Sequence, residues 1–537
     1  MASFLASDSP RPCLRLGLIL AVFLTSSGCE LIGPDFRKPD STLGAGWLDR
    51  KDPRLNRKGG DYRNWWKTFD DPVLDQLIQT AYRQNLPLRD AGLRILQARA
   101  QLGIAVGDFY PQKQDVSGFV DYLKLPEGAP SERLPGQTGA LAPFWWSRLG
   151  LGASWELDIW GKFRRAIESA DAQMLATIAA YDAAIVSLTA DVASTYIRIR
   201  TLEKKLDIAR TNVQAQQSNL RIAEAKFRGG SSSRRDVEQA RTVMGGTQAS
   251  IPALESQLRQ AKNALSLLLG QSPSELEKPL GSGLRYAQIP APPVQVAAGI
   301  PLDLLRRRPD IREAEYQAQT QSARIGIAKA QLYPALSLSG SFSFVSSTAH
   351  GMSLGDMFQW GNQFYRFGPA VQWNIFNYGQ LTNQVRANDA QFQSTLVNYQ
   401  NTVLKAQKEV EDGLIAFLKA QDSAEYLAQS TAAAKRSLDL ATLQYREGIA
   451  DFTTVLTAEQ SLLAQQDDFA SALGDIATGL VSVYRGLGGG WQIREGQEFI
   501  PEPIKVAMAR RTDWGDLLAP MPVPEGAAKG TVRAPDW

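Results

Sequence analysis

Imidazoles and thiols are scarce in this 537-residue chain. It has a single histidine, His350, and two cysteines, Cys13 and Cys29. So few imidazoles and thiols leave little for metal sites, histidine-based acid–base work or a disulfide framework. An excess of one charge is also missing: 58 basic against 55 acidic side chains gives a net charge of +3, and nothing points to nucleic acid. The apolar run from Leu16 to Leu24 is too short to span a bilayer as a helix. Between Lys162 and Phe227 there is neither proline nor glycine. That last absence predicts a helix far longer than a globular domain uses.

What is present is an internal duplication. Trp155–Gly161 (WELDIWG) recurs as Trp373–Gly379 (WNIFNYG), 218 residues later. The same offset carries Lys226-Phe-Arg-Gly-Gly230 onto Gln444-Tyr-Arg-Glu-Gly448, and Leu269-Gly270 onto Leu487-Gly488. Upstream, Gly103-Ile-Ala105 and Tyr110-Pro111 recur as Gly326-Ile-Ala328 and Tyr333-Pro334 at an offset of 223. The difference places a loop of variable length between Pro111 and Trp155. A repeat of this size argues for one pseudo-symmetric body rather than several domains.

The N-terminus is a targeting segment. Arg11 and Arg15 precede the apolar run, which ends in Ser26-Ser27-Gly28-Cys29. This resembles a bacterial lipoprotein cleavage site, with Ser26 where leucine is usual. The resemblance implies a lipid on Cys29 (diacylglycerol and palmitate), and Glu30 in place of the inner-membrane aspartate favours the outer membrane. A secreted protein with a stray cysteine is the plainer alternative.

Four stretches read as transmembrane β-strands. From Leu149 to Ile159, Leu149, Leu151, Ala153, Trp155, Leu157 and Ile159 alternate with glycine and polar residues. Tyr365–Ile375 repeats the pattern despite Pro369, and Ala335–Phe344 sets Leu336, Leu338, Phe342 and Phe344 against a row of serines. Val116–Tyr122 is a weaker counterpart, with Phe119 on the opposite face. The serine-rich face suits a water-filled lumen, and Trp145, Trp146, Trp160, Trp360, Phe364 and Tyr378 suit an interfacial girdle. A soluble sandwich is the alternative. Four strands cannot close a barrel, so several chains must share one. A trimer would supply twelve strands, and the sequence does not choose three over two or four.

Two helical hairpins follow the strands. The first long helix carries an apolar seam through Ile185, Leu188, Val192, Ile199, Leu202, Leu206, Ala209, Val213, Leu220 and Phe227. The second keeps the phase through Val403, Ala406, Val410, Phe417, Ala424, Leu427, Leu438, Ala441 and Tyr445. With Thr195, Gln216 and Ala223 in the first seam and Gly413, Ala420, Thr431 and Ala434 in the second, steps of three and four alternate, the period of a coiled coil. Glycines then reverse the chain at Gly229-Gly230 and at Gly448. Return helices are expected from Val237 to Leu268 and from Val455 to Val483, the first bent or loosened at Gly245-Gly246 and Pro252.

In this arrangement the residues resemble the TolC-like outer-membrane efflux proteins of the NodT/OprM lipoprotein subgroup. The likeness spans roughly residues 29–495. It rests on Cys29 with Gly33-Pro34-Asp35-Phe36, on Trp65-Trp66…Phe69-Asp70-Asp71-Pro72, on Ile300-Pro301…Leu304-Leu305-Arg306-Arg307-Arg308-Pro309-Asp310-Ile311, and on Trp373…Phe376-Asn377-Tyr378-Gly379. It implies a mainly α protein with a transmembrane β-barrel: an internally duplicated β-barrel continued by a long coiled-coil α-helical barrel and shared between subunits. The expected division is a signal peptide (1–28), a lipidated periplasmic segment (29–84), a first repeat (85–270), a linker (271–300), a second repeat (301–490) and a partly disordered periplasmic tail (491–537).

The resemblance further implies a homotrimeric exit duct without enzymatic chemistry or cofactor. It would sit in outer-membrane lipid and dock to a periplasmic adaptor protein and an inner-membrane pump of the RND type. Its gate would lie at the tips, 227–236 and 445–454, closed by a hydrogen bond between Asp236 and Tyr445. Gly229, Gly230, Arg446 and Gly448 belong to these tips. Where the family often places aspartates, the chain has Thr454 and Thr457 with Glu459 nearby, and Arg234, Arg235 and Arg241 add positive charge. A ring of acids is therefore not expected, and Asp236→Ala or Tyr445→Phe should raise conductance. The alternative is a lipid-anchored periplasmic coiled-coil adaptor or structural protein. An enzyme fits least, because Arg307, Arg308 and Asp310 sit at a helix start with no phosphate loop, metal spacing or nucleophile beside them.

Overall fold

The computed structural model describes residues 31–39, 46–56, 60, 62–124, 142–273, 280, 288–299 and 305–520. Cys29, the signal segment, Ile300–Leu304 and residues 521–537 lie outside them. Helices are labelled α1 (Pro72–Gln84), α2 (Leu86–Gly107), α3 (Lys162–Arg228), α4 (Arg234–Leu268), α5 (Pro309–Ala330), α6 (Gln380–Glu447), α7 (Phe452–Gly486) and α8 (Glu502–Ala509). Strands are β1 (Leu55–Asn56), β2 (Lys113–Leu123), β3 (Phe144–Glu156), β4 (Val296–Ala297), β5 (Ala335–Ser347) and β6 (Gln363–Gln372).

The breaker-free stretches fold as single helices. α3 has 67 residues and α6 has 68, so each is about 100 Å long at about 1.5 Å per residue. Gly161 and Gly379 open them with φ of 76° and 80°, a left-handed conformation that side-chain-bearing residues avoid. The seam is the buried side: Ile185, Val192, Ile199, Val403, Val410 and Phe417 are all in the core. α4 remains one helix through Gly245-Gly246 and Pro252. The proline removes one hydrogen-bonded rung without ending the helix. α3 packs against α4, α5, α7 and α2, while α6 packs against α7 and α5. The two repeats thus interlock, since α5 of the second lies on α3 of the first.

The strands form one antiparallel sheet in the order β2-β3-β5-β6, with β2 and β6 as open edges. Its register sets Leu149 beside Phe344, Leu151 beside Phe342 and Phe342 beside Tyr365, which makes one continuous apolar face. Gly150, Gly152 and Ser154 meet Ser343, Ser341 and Ser339 on the other face. The strands extend beyond the expected lengths at their outer ends, to Phe144 and Ser347, and stop sooner at Glu156 and Gln372. Pro369 lies on edge strand β6, where a missing donor is tolerated.

Two members of the expected girdle are on the polar face. Trp146 and Phe364 alternate with the apolar row, and Phe119 joins them, its ring 4.7 Å from that of Trp146. Trp145 and Tyr122, 5.0 Å apart, do face outward. Grouping the aromatics by their nearness to strand ends misplaced Trp146, since two adjacent residues of a strand point to opposite faces and Trp145 already lies on the apolar one.

The segments around the repeats fasten them together. Trp65 and Trp66 are fully buried, and Trp65 stacks on Tyr484 of α7 at 5.3 Å. Asp71 caps α1, accepting from the Val73 and Leu74 amides, and also accepts from the Tyr196 hydroxyl of α3. Arg308 caps nothing itself but binds Asp310, Glu409 of α6 and the Gly486 carbonyl of α7. Of the tail, the structure describes residues 491–520, which include α8. Arg494 pairs with the fully buried Asp182 of α3 and lies over the rings of Trp491 and Phe499. Arg99 of α2 donates to the carbonyls of Leu517 and Ala519.

Candidate functional site at the helix tips

The two helix reversals lie side by side and share a small core of their own. Ala223, Val237, Ala240, Ala441, Tyr445, Phe452, Val455, Leu456 and Ala458 form this cluster, separate from the main one. Each turn ends its long helix in the same way. The Ser231 amide donates to the Lys226 carbonyl at 2.9 Å, and 218 residues on the Ile449 amide donates to the Gln444 carbonyl at 2.8 Å. Gly230 and Gly448 supply the left-handed residue, at φ 75° and 78°. Gly229, at φ −80°, does not use glycine's freedom.

Tyr445 is the centre of the cluster. The Lys226 ammonium, from the first hairpin, sits 4.6 Å from its ring centroid and donates to its carbonyl oxygen. Phe452, from the second return helix, lies 5.0 Å from the same ring. The phenol hydroxyl is buried and makes no hydrogen bond of good geometry. Burial pushes this phenol up; the Ser232 hydroxyl nearby offsets the shift in part, and the charge of Asp236 adds to it.

Asp236 therefore stands near Tyr445 without bonding to it within the chain. Its carboxylate instead accepts from the Ser233 hydroxyl at 2.8 Å, at the start of α4. A residue in the first turn of a helix is drawn to its own N-terminus, and that local bond competes with any partner across the cluster.

The remaining expected tip residues divide by exposure. Arg446 is exposed. Thr454 is exposed too, and both its amide and its hydroxyl bond to Asp451, which caps α7. Thr457 returns its hydroxyl to the Thr453 carbonyl. Glu459 does not line a surface at all. It is buried between α7 and α3, where it accepts from the Asn219 amide at 2.5 Å, and burial raises its carboxyl above the usual range. Lys226 and Asn219 lie outside the expected tip ranges, and Phe452 lies inside one without having been singled out.

Among the described residues, no group of three or more His, Cys, Asp or Glu is placed to hold a metal ion. One polar-faced sheet with two open edges, carried on helices about 100 Å long, defines a membrane channel protein assembled from several chains. The chain belongs to the family described as outer membrane efflux protein, which it matches over residues 77–271 and 300–489.

Similar proteins agree along nearly the whole length. The cation efflux system protein CusC of Escherichia coli O6:H1 is 30% identical over 482 residues, covering 90% of this chain and 99% of that protein. The pyoverdine export outer membrane protein OpmQ of Pseudomonas aeruginosa is 31% identical, covering 87% and 96%. The solved structure of the outer-membrane channel OprN superposes with a TM-score of 0.78 at 32% identity, covering 86% of this chain and 99% of that one. Proteins of this family are homotrimeric outer-membrane channels that dock to periplasmic adaptors and inner-membrane RND-type pumps. This chain is accordingly the outer-membrane channel component of a tripartite efflux system, and it extends into the periplasm.

Proposed function

We propose that the paired turns at 227–236 and 445–454 are the gate of this duct, and that the ring of Tyr445 is its latch. The observation that carries the reading is the double hold on that ring, by Lys226 of the first hairpin and Phe452 of the second. Opening requires the α6–α7 tip to part from α3, which exposes the small apolar cluster and breaks the cation–ring contact. The energy for that step comes from the docked pump, and passage involves no chemistry by the chain itself.

Single-channel conductance in planar bilayers tests the latch. Tyr445→Ala and Lys226→Met should raise it about 5- to 30-fold, as the loss of about 1–2 kcal/mol from a closed state gives. Tyr445→Phe keeps the ring and removes only an unsatisfied hydroxyl, so it should stay near wild type. Equal gains from Tyr445→Phe and Tyr445→Ala would make the hydroxyl the latch and remove the ring from that role.

We also infer that Cys29 carries the lipid anchor. Two residues further on, Leu31 lies against Gly161, and the Ile32 amide donates to the Trp160 carbonyl at the junction of β3 and α3. The hold on Leu31 and Ile32 supports an anchor on the residues just before them. Mass spectrometry of the mature N-terminal peptide decides it, an unmodified cysteine being the adverse result.

A further inference from the structure

We propose that α2 of one subunit lies on α6 of the next, in the way that α5 lies on α3 within the chain. The boundary between subunits then copies the boundary between repeats, and the occupant of the open flank of α6 is a second copy of this chain. The proposal uses the homotrimer and is independent of the gate.

α2 and α5 are the same element of the two repeats. Both have 22 residues, and each position of α5 follows its counterpart in α2 by the upstream offset of 223. α3 and α6 correspond in the same way at 218. Within each repeat the short helix leans on its own long helix, α2 on α3 and α5 on α6. One further packing joins the repeats, α5 on α3. Its counterpart, α2 on α6, does not form within the chain.

The α5–α3 packing is close. The Ser169 hydroxyl donates to the Thr320 carbonyl at 3.3 Å, and the Arg312 guanidinium stands 3.9 Å from the Asp182 carboxylate. A Cβ on Gly326 would lie 2.9 Å from Cγ of Arg165. Along this flank of α3, Arg165, Ser169, Ala172, Ala176 and Ala179 are all buried. The corresponding residues of α6 are Asn383, Ala387, Ala390, Ser394 and Val397, and every one is exposed.

The matching side of α2 is open as well. Gly103 has nothing within 4 Å of the place a Cβ would take, whereas its counterpart Gly326 has no room for one. Glycine weakens the middle of a helix. Free space beside Gly103 therefore fits a neighbour that arrives on assembly. Gln97, the counterpart of Thr320, is exposed. Arg89, the counterpart of Arg312, has a buried Nε without a hydrogen-bond partner. Repeating the α5–α3 packing across the boundary sets Gln97 beside Ala387 and Gly103 beside Asn383. It also brings Arg89 to Gln400, whose amide oxygen can accept from it where Asp182 faces Arg312. The same step lays β6 along the neighbour's β2, as β3 lies along β5, and pairs both edges of the sheet.

The test is cross-linking of the full-length protein in the outer membrane with a short bismaleimide. Gln97→Cys and Ala387→Cys, combined in one chain, replace two exposed residues, so the variant should fold. Denaturing gels should show covalent dimers and trimers from the double variant and neither from the single ones. Thiols that both take up a maleimide dye yet give no ladder overturn the proposal, and so does a ladder that stops at two chains. Native gels without cross-linker hold the trimer itself apart from this result. Gly103→Ala gives a second reading with opposite signs. On a helix open to water the methyl would strengthen the fold, but against α6 of the next subunit it should lower the temperature at which trimers dissociate. Trimers unmoved or strengthened by the methyl are equally adverse. If Gly103→Ala forms no trimers, the cross-link decides alone.

Discussion

The indole N–H of Trp155 donates to the carbonyl of Phe109 at 3.1 Å, and that of Trp373 donates to Leu332 at the same distance. The donors are 218 residues apart and the acceptors 223. One bond thus joins the two registers of the duplication, tying the end of each strand pair to the helix that leads into it.

Trp155→Phe and Trp373→Phe should each remove about 1 kcal/mol. The sites are distant and share no partner, so the double variant should lose the sum. The temperature at which trimers dissociate on a gel reads the effect. A double variant no weaker than either single one would mean the two bonds are not independent fastenings.

Acidity should tighten the tip. Burial raises the Glu459 carboxyl above its ordinary value of 4.5, so the folded tip binds a proton more readily than the open chain does. That contribution is fully present below about pH 4.5 and fades as pH rises through the raised value. Glu459→Gln keeps an acceptor for Asn219 without the charge. It should hold the neutral-pH conductance at the lower level that wild type reaches in acid, and flatten the pH profile. A profile unchanged by the substitution would clear Glu459 of any part in it.

Gly326→Ala should detach the N-terminal strap. A Cβ there would lie 2.7 Å from the Ile32 carbonyl oxygen and 2.9 Å from Cγ of Arg165, which also grips Gly33 and Asp35. The expected cost is about 1–3 kcal/mol, read as faster tryptic cleavage after Arg37. Cleavage at the wild-type rate would show that the strap tolerates the methyl.

Arg494→Met should be the most damaging single change in the tail. It leaves the carboxylate of Asp182, 0% exposed, with only Arg312 at 3.9 Å. Removing one partner of such a pair costs about 3–5 kcal/mol. Asp182→Asn with Arg494→Met should recover much of that loss in thermal melts, and a double variant as weak as the single one would point to lost packing rather than a stranded charge.

The architecture was legible wherever it obeyed a period. The seams through Ile185 to Ala223 and Val403 to Tyr445, the reversals at Gly230 and Gly448, and the alternation of β3, β5 and β6 all follow from spacing along the chain. What escaped was held by contacts between distant segments. The sequence gives no sign that Arg494 of the tail reaches Asp182, 312 residues away. Tyr445 was legible as a tip residue, but its partners were not. A cation over a ring leaves no spacing to read, and Asp236 had a nearer bond to make with Ser233.

The sheet of a lone chain has two raw margins, β2 and β6, and an apolar side that water does not tolerate. Such a subunit has no comfortable resting place, neither in the periplasm nor alone in lipid. Closing the sheet and assembling are therefore one event for this protein, and the yield of closed barrels should depend on how many sister chains arrive together.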